Sequence, residues 1–368
     1  MSRKNGATGR ASPPVLSARS LHLNKWLPCK FTPVQVCLLF RDLSSFLPGQ
    51  LYNNLAQWEF ISEQFPSRDE PMHFIQNKVD VASFIGPFKG KFGGKFYDAP
   101  FSPRMEFHNN PIYTQFGDFI STTIIDRFKN SSLVFWAKVG KVQPPHLVMP
   151  ITIEPSKPRM CHDEWFLNLW IMDCPFSLNY LSDLPRYVGP GHYQTVCDDK
   201  SGYDDICLIP SSRTLFGLSW RGCYFMYNTL PFGLKASACV YHMTGLLVTS
   251  YIITLGVPCS QYIDDRHAGQ LVAHKKPNLP EWTNFELAKA TAFIVVSVLT
   301  SLGYTLALSK SSLVPSRCVH CLGYLSDSGL LAFVLPEGRP YENPFCLKKL
   351  WMLRLCSVLQ AKLPRFLL

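Results

Sequence analysis

The sequence predicts an α+β fold. Two long apolar runs, Thr244 to Ile263 and Ala290 to Leu308, are interrupted by glycine or proline. Each is therefore typical of a helix, a turn and a buried strand, and we expect no membrane span. Several shorter apolar segments of strand length precede them and are separated by turn residues. With 47% hydrophobic and 17% charged residues, the 368-residue chain can bury a sizeable core.

Charge and cysteine content indicate the partner and the compartment. The net charge of +10 favours nucleic acid before membrane, and a basic excess that only keeps the chain soluble is the alternative. Thirteen scattered cysteines, with no secretory leader visible, favour an intracellular protein, cytoplasmic or nuclear and not secreted. Cys318 and Cys321 form a Cys-x-x-Cys without a second ligand pair, so a buried strand is favoured over zinc.

The chain divides into four segments. Residues 1–24 are basic without an acid and predict a disordered tail in preference to a transit peptide, because no amphipathic face is visible. Residues 25–140 form an amino-terminal extension of unknown role. Residues 141–330 carry the motifs that predict function. Residues 331–368 form a tail with one expected helix that begins at Pro344.

Rings and positive charges alternate in one part of the extension, around Gly90, Gly93 and Gly94. Two interpretations explain this pattern equally well: a surface that stacks on nucleic-acid bases, and a glycine-rich surface loop. The residues concerned are Phe88, Lys89, Lys91, Phe92, Lys95 and Phe96.

A strand, a turn and a returning strand are predicted at the start of the third segment. They comprise Leu147 to Ile153, Glu154 to Lys157, and Arg159 to Asp163. Lys157 and Arg159 at the tip could bind a triphosphate, because arginine offers a planar fork to phosphate oxygens and lysine a mobile point charge.

Acidic residues follow two apolar strands. Tyr193 to Cys197 leads into Asp198, and the strand that ends at Ile263 leads into Asp264 and Asp265. Adjacent carboxylates beside an apolar strand repel each other, so such a pair usually holds a metal ion. A tight turn after Ile263 is needed to bring them toward one ion, since neighbouring side chains of a strand point to opposite faces. A surface turn of the Asp-Asp type is the alternative.

Phosphoryl transfer by two metal ions needs carboxylates from separate backbone segments. In the first cluster we favour Asp198 over Asp199, because Asp198 follows the strand directly. Asp204 and Asp205 lie close by, so a solvated acidic turn remains the other interpretation.

The remaining elements complete the pattern. Tyr224 to Tyr227 predicts a strand, and Asn228 to Ser237 predicts a loop that opens a helix. Gly233 in this loop would let the backbone approach a base pair closely. Phe285 to Leu302 has the length of a helix, and Tyr304 to Leu308 is predicted as the strand after it.

These motifs, in this order, resemble the reverse transcriptases of retroelements. The run from Lys157 to Asp163 is similar to the fingers segment, and Asp198 to Tyr203 to the first palm motif. Leu230 to Ser237 matches the second palm motif nearly residue for residue. Tyr262 to Asp265 matches the signature of a tyrosine, any residue and two aspartates, and Cys321 to Leu325 resembles the primer-grip hairpin.

The resemblance implies a right-hand polymerase fold with an antiparallel palm sheet, helices on one face, fingers, and an incomplete thumb in residues 331–368. It implies an RNA-directed DNA polymerase that adds dNTPs to a primer 3′-hydroxyl on an RNA or DNA template, with two Mg²⁺ ions, or Mn²⁺ in their place. The catalytic and metal-binding residues would be Asp198, Asp264 and Asp265. Tyr203 would block a 2′-hydroxyl. The nucleotide-binding residues would be Lys157, Arg159, Tyr203, Phe232, Gly233 and Lys310.

Some features depart from the family pattern. Trp165 stands where many relatives have an arginine that supports Asp163. The amino-acid sequences of the motifs are most similar to those of tyrosine-recombinase retrotransposons of the DIRS group. We interpret the chain as a fragment or a decayed copy of a longer polyprotein, so a catalytically inactive, retroelement-derived nucleic-acid-binding protein is the alternative function. An RNA-templated RNA polymerase is disfavoured by Tyr203.

Overall fold

A computed structural model describes residues 50–154, 158–272 and 283–336. In chain order the helices are α1 (Leu55–Ser62), α2 (Asp69–Asn77), α3 (Gly117–Lys129), α4 (Pro210–Arg213), α5 (Ser237–Thr254) and α6 (Asn284–Ser301). The first strands are β1 (Phe88–Phe92), β2 (Lys95–Ala99), β3 (Met105–Glu106), β4 (Leu133–Lys138), β5 (Leu147–Val148), β6 (Ile151–Glu154), β7 (Arg159–His162) and β8 (Gln194–Asp198). The later strands are β9 (Gly217–Trp220), β10 (Cys223–Tyr227), β11 (Cys259–Tyr262), β12 (Asp265–Gly269), β13 (Ser312–Ser316), β14 (Cys318–Cys321), β15 (Tyr324–Asp327) and β16 (Ala332–Val334).

A four-stranded sheet in the order β11-β12-β8-β13 carries the predicted catalytic motifs. Every neighbouring pair in it is antiparallel. Helices α5 and α6 pack against this sheet and against each other. Because β8 pairs with β12, the end of β8 lies next to the turn between β11 and β12.

A five-stranded sheet, β3-β5-β9-β10-β4, is mixed, because β5 pairs in parallel with both β3 and β9. Three smaller units are antiparallel: the hairpins β1-β2 and β6-β7, and the three-stranded sheet β14-β15-β16. The predicted α+β class is confirmed, with antiparallel pairing predominant.

One hydrophobic core runs from Leu51 to Leu306. The extension contributes to it directly, since the buried indole of Trp58 donates a hydrogen bond to the carbonyl of Leu302 at 3.1 Å. Helix α6 is long and apolar enough to cross a membrane by length and composition, yet half of it is buried inside the protein, as in a core helix. The predicted division at residue 140 remains a prediction.

Several predicted elements are confirmed. The first apolar run forms α5, a turn at Gly256 and strand β11. Strands β6 and β7 form the predicted hairpin, with Glu154 opposite Arg159. The predicted strand before its tip is broken between β5 and β6, where Pro150 has no N–H for the ladder. Lys157 lies outside the described residues, as do residues 1–24 and the expected helix after Pro344.

The prediction of a strand from Tyr304 to Leu308 is wrong. Strand β13 occupies the ladder beside β8, and this segment crosses the end of β8, where Leu306 forms a single antiparallel bridge with Asp199. Its hydrogen bonds join Lys200 N to Thr305 O at 2.7 Å and Ala307 N to Asp198 O at 2.8 Å. Farther along, Cys318 and Cys321 both lie on β14, one exposed and one buried.

Candidate active site

The predicted metal-binding carboxylates meet at one edge of the four-stranded sheet. Asp198 ends β8 and Asp265 begins β12, and the two are directly opposite each other in the antiparallel pair. Residues paired in this way point to the same face of a sheet. Asp264 lies in the turn just before β12, where its carbonyl accepts a hydrogen bond from the N–H of Asp199 at 3.0 Å. The structure therefore brings Asp198, Asp264 and Asp265 together from two backbone segments.

The turn that carries Asp264 is strained. It begins at Ile263, one residue earlier than predicted, with φ of 53°. That conformation costs a β-branched residue about 1–2 kcal/mol. Two hydrogen bonds support the turn: the Gln261 amide donates to the Ile263 carbonyl at 2.8 Å, and the Thr249 hydroxyl donates to the Gln261 side chain at 2.9 Å. A Cβ at Gly245 would lie 2.0 Å from the Gln261 amide nitrogen, so glycine lets α5 approach β11.

The turn was predicted from the sequence, but the residues that hold it were not. A polar Gln261 inside an apolar strand was the available signal, because a buried amide needs partners.

Asp264 and Asp265 lie in an environment that disfavours their charge. Burial is the largest cause of a raised pKa at both Asp264 and Asp265, and neighbouring carboxylates raise it further. For Asp265 the pKa reaches about 6. Lys310 offsets part of this repulsion, with its ammonium nitrogen 3.3 Å from Asp198 Oδ1. The edge is a concentration of negative charge to which a cation would be attracted.

A buried ion pair lies on the opposite face of the same two strands. Asp199 and Arg266 each follow one of the paired carboxylates, so strand alternation turns them toward the helices. Their side chains are fully buried and in direct contact. The Tyr241 hydroxyl of α5 donates to Asp199 at 2.6 Å, and the Arg266 guanidinium lies 4.7 Å from the ring centre of Tyr304. Asp199 is thus bound within the core, whereas Asp198 faces Lys310.

An aromatic pair lies beside Asp264. The rings of Tyr203 and Phe232 are 4.7 Å apart, and Phe232 is 51% exposed. Burial, and then the charge of Asp264, raise the pKa of Tyr203 to about 12. Gly233 next to Phe232 has φ of 104°, and a Cβ there would lie 2.4 Å from the His162 carbonyl. Packing of this loop against β7 therefore gives an internal reason for glycine at that position.

The other predicted phosphate ligands are placed differently. Lys310 contacts Asp198, as described. Arg159 begins β7 and is exposed, on a hairpin separate from the sheet that carries the carboxylates.

Asp204 has a structural partner that sequence reasoning missed. It accepts hydrogen bonds from Arg127 on α3 at 3.1 Å and from the Thr229 hydroxyl at 3.0 Å. The Arg127 guanidinium also lies 5.6 Å from the ring centre of Tyr227. The contact spans 77 residues of sequence, and no local pattern signals it. This part of the acidic cluster fastens α3 to the loop before Phe232.

Oxygen donors of this kind suit Mg²⁺ or Mn²⁺, which prefer carboxylate ligands. Within the described ranges, no three Asp, Glu, His or Cys side chains already form a group that could hold a metal ion. The donor chemistry and the raised pKa values fit a divalent cation at this edge. The side chains would have to close around it.

Comparison with solved structures gives the class of fold. Two structures of foamy viral protease-reverse transcriptase in complex with double-stranded DNA match with TM-scores of 0.50 each. One is 16% identical and the match covers 77% of this chain and 47% of that one. The other is 17% identical and the match covers 84% of this chain and 63% of that one. No protein-family model and no curated protein matches the sequence.

At these identities the likeness is one of fold, and the chain has a reverse transcriptase-like fold. It spans less than two thirds of the length of these two foamy viral chains. The predicted resemblance is thereby confirmed at the level of fold.

The buried ion pair generates the first prediction. Arg266→Met leaves the Asp199 charge buried without its partner, so the free energy of unfolding should fall by about 3–5 kcal/mol. The measurement is denaturant unfolding. Arg221→Met is the matched control, because its ion pair with Asp118 is exposed and should contribute less than about 1 kcal/mol. Equal losses in the two variants would contradict the assigned role. The double variant Asp199→Leu/Arg266→Met should recover most of the loss.

The raised pKa of Asp265 generates the second prediction. Because the folded chain binds this proton more tightly than the unfolded chain, the stability of the metal-free protein should fall as pH rises from about 4 to about 6. Asp265→Asn removes the group, so its thermal midpoint should decline less across that range. The exposed Glu63→Gln should keep the wild-type profile. An unchanged slope in Asp265→Asn would show that Asp265 ionises normally.

Proposed function

We propose that this chain is an RNA-directed DNA polymerase that transfers dNTPs to a primer 3′-hydroxyl. The observation that carries the proposal is the meeting of Asp198, Asp264 and Asp265 at one sheet edge beside an aromatic pair, within a reverse transcriptase-like fold. The neighbours with this fold are complexes with double-stranded DNA, which supports nucleic acid as the partner. The net charge of +10 supports it independently.

In this proposal the four-stranded sheet with α5 and α6 is the palm. The hairpin β6-β7 and the five-stranded sheet belong to the fingers, and the hairpin β14-β15 is the primer grip. The sequences of two motifs support an origin in a retrotransposon of the DIRS group. They are Asp-Asp-Lys-Ser-Gly-Tyr and Tyr-Ile-Asp-Asp-Arg-His.

The residues that would hold two Mg²⁺ ions are Asp198, Asp264 and Asp265. When bound, such ions lower the pKa of the primer 3′-hydroxyl and neutralise charge on the triphosphate. The negative charge of the three carboxylates attracts the cations. Because the carboxylates come from two strands, they would hold the two ions apart. The strained turn at Ile263 fixes the backbone of Asp264 before any ligand arrives, so only the side chains would have to move to bind the ions.

The other residues of the site bind and orient the nucleotide. Lys310 has its ammonium on Asp198, and we propose that it moves to a phosphate oxygen when the triphosphate enters. Arg159 and Lys157 at the hairpin tip would bind phosphate from the other side. Tyr203, held against Phe232 and Tyr241, would lie under the sugar and exclude a 2′-hydroxyl.

A catalytically inactive nucleic-acid-binding protein is the second candidate. It is favoured by Lys310, which already neutralises Asp198 within the chain, and by the lack of a three-ligand group among the described residues. Such a protein would bind primer–template with salt-sensitive affinity and incorporate nothing.

The third prediction tests catalysis. Asp264→Asn should lower the rate of primer extension at least about a hundredfold, because a charge that binds the ions is lost. Its affinity for primer–template should stay near wild type, since that affinity depends on phosphate contacts. Primer extension on a defined RNA template and fluorescence anisotropy give the two measurements. The exposed Asp118→Asn is the matched control. Wild-type extension by Asp264→Asn would mean that the site has been misassigned, and no extension by the wild type would favour the second candidate.

The fourth prediction concerns the sugar. Tyr203→Val removes a ring without adding a hydrogen bond, so the preference for dNTPs over rNTPs should fall about tenfold or more. Single-nucleotide incorporation with each substrate measures it. Tyr251→Val, a half-buried tyrosine near the far end of α5, should leave the preference unchanged. If Tyr203→Val kept the wild-type preference for dNTPs over rNTPs, Tyr203 would have only a packing role.

A further inference from the structure

The hairpin β1-β2 has one face that the site does not use. Alternation along its strands turns Phe88, Gly90 and Phe92 inward and Lys89 and Lys91 outward. Gly93 and Gly94 form the turn, both with positive φ. The segment that the sequence left open between a stacking surface and a loop is therefore a β-hairpin with a defined outer face.

Phe96 and Lys91 lie directly opposite each other on the outer face. Phe96 is 54% exposed, so its ring is available to a ligand. The neighbouring pair on the same face differs, because Lys89 is neutralised by Asp98 at 2.8 Å. Lys91 has no acidic partner among the residues that the structure describes. An exposed ring beside an uncompensated ammonium presents both groups that a nucleotide needs: a stacking plane and a phosphate ligand.

The inner face fixes the hairpin firmly to the body of the protein. The ring of Phe92 packs against Trp165 with centres 4.2 Å apart, and that of Phe88 against Trp170 at 5.1 Å. The Trp170 indole also donates a hydrogen bond to the Ala99 carbonyl at 3.1 Å. The outer face is thus held in one orientation, which lowers the conformational entropy that the hairpin would lose on binding a ligand.

The same anchor segment reaches the candidate active site. Asn168, between the two tryptophans, donates to the Gly233 carbonyl at 2.7 Å and accepts from the Lys235 N–H at 2.9 Å. Gly233 adjoins Phe232, which pairs with Tyr203. One short segment, Trp165 to Trp170, therefore connects the hairpin to the loop that would contact the nucleotide.

We propose that the outer face of β1-β2, with Phe96 as the stacking ring and Lys91 as the phosphate contact, binds unpaired nucleotides of the template strand. The inference rests on the proposed function for the identity of that strand. The charge of the face suits a polyanion, and a ring stacks on any base, so binding is independent of sequence and serves RNA and DNA alike. The hairpin would guide the single strand toward the site before it is copied.

The test compares two substrates by fluorescence anisotropy, without nucleotide or metal: a blunt duplex, and the same duplex with a single-stranded 5′ template overhang of RNA or DNA. Phe96→Ala should raise Kd for the overhang substrate about tenfold and leave Kd for the blunt duplex unchanged. Phe96→Tyr should restore binding. Lys91→Ala should lower the salt dependence of overhang binding by about 0.7 in log–log slope.

Phe60→Ala is the matched control, because Phe60 is 64% exposed, more than Phe96, but lies on α1 between Glu59 and Glu63. It should change neither affinity. Equal weakening of both substrates by Phe96→Ala, or no weakening of either, would overturn the proposal. A chain that binds overhangs through Phe96 yet extends no primer would refute only the polymerase function. Extension with Phe96-independent binding would refute only the role of the hairpin.

Discussion

The ion pair between Asp199 and Arg266 is the contact on which the candidate site depends. It joins β8 to β12 inside the core, where two charges are tolerated only as partners. Each of the two follows a carboxylate of the site by one residue. A shift of one residue in the pairing of these strands would separate the charges and place Asp198 and Asp265 on opposite faces of the sheet. The ion pair therefore specifies the register that brings the carboxylates together.

One face of the sheet contributes to the stability of the fold, and the other carries the candidate active site. The helix side is closed by Tyr241, Tyr304 and the buried charges. The other side keeps Asp198, Asp264 and Asp265 near Lys310. Burial, and then repulsion between the carboxylates, raise the pKa of Asp264 and Asp265. This repulsion opposes folding, and the ion pair and the supported turn at Ile263 hold the arrangement against it.

Much of the fold and of the candidate site followed from the sequence because its signals are local. Apolar periodicity and the break at Gly256 predicted α5 and β11, and the apolar strand before Asp198 predicted β8. Contacts between distant segments carried no such signal. Arg127 with Asp204, and Gln261 with Gly245, are set by how the layers pack. The segment from Tyr304 to Leu308 has the composition of a strand, but β13 occupies the place beside β8. The alternation of rings and lysines in β1-β2 was visible in the sequence, whereas the hairpin itself and its anchor to Trp165 and Trp170 were not.

The most direct measurement is anomalous diffraction from crystals grown with Mn²⁺, a primer–template and an unreactive dNTP analogue. If Asp198, Asp264 and Asp265 form the metal site of a polymerase, two Mn²⁺ peaks should lie about 3.5–4 Å apart and within bonding distance of these carboxylates. Lys310 should then have left Asp198 for the triphosphate. A site without bound Mn²⁺, with Lys310 still on Asp198 and nucleic acid bound elsewhere, would contradict the proposed chemistry.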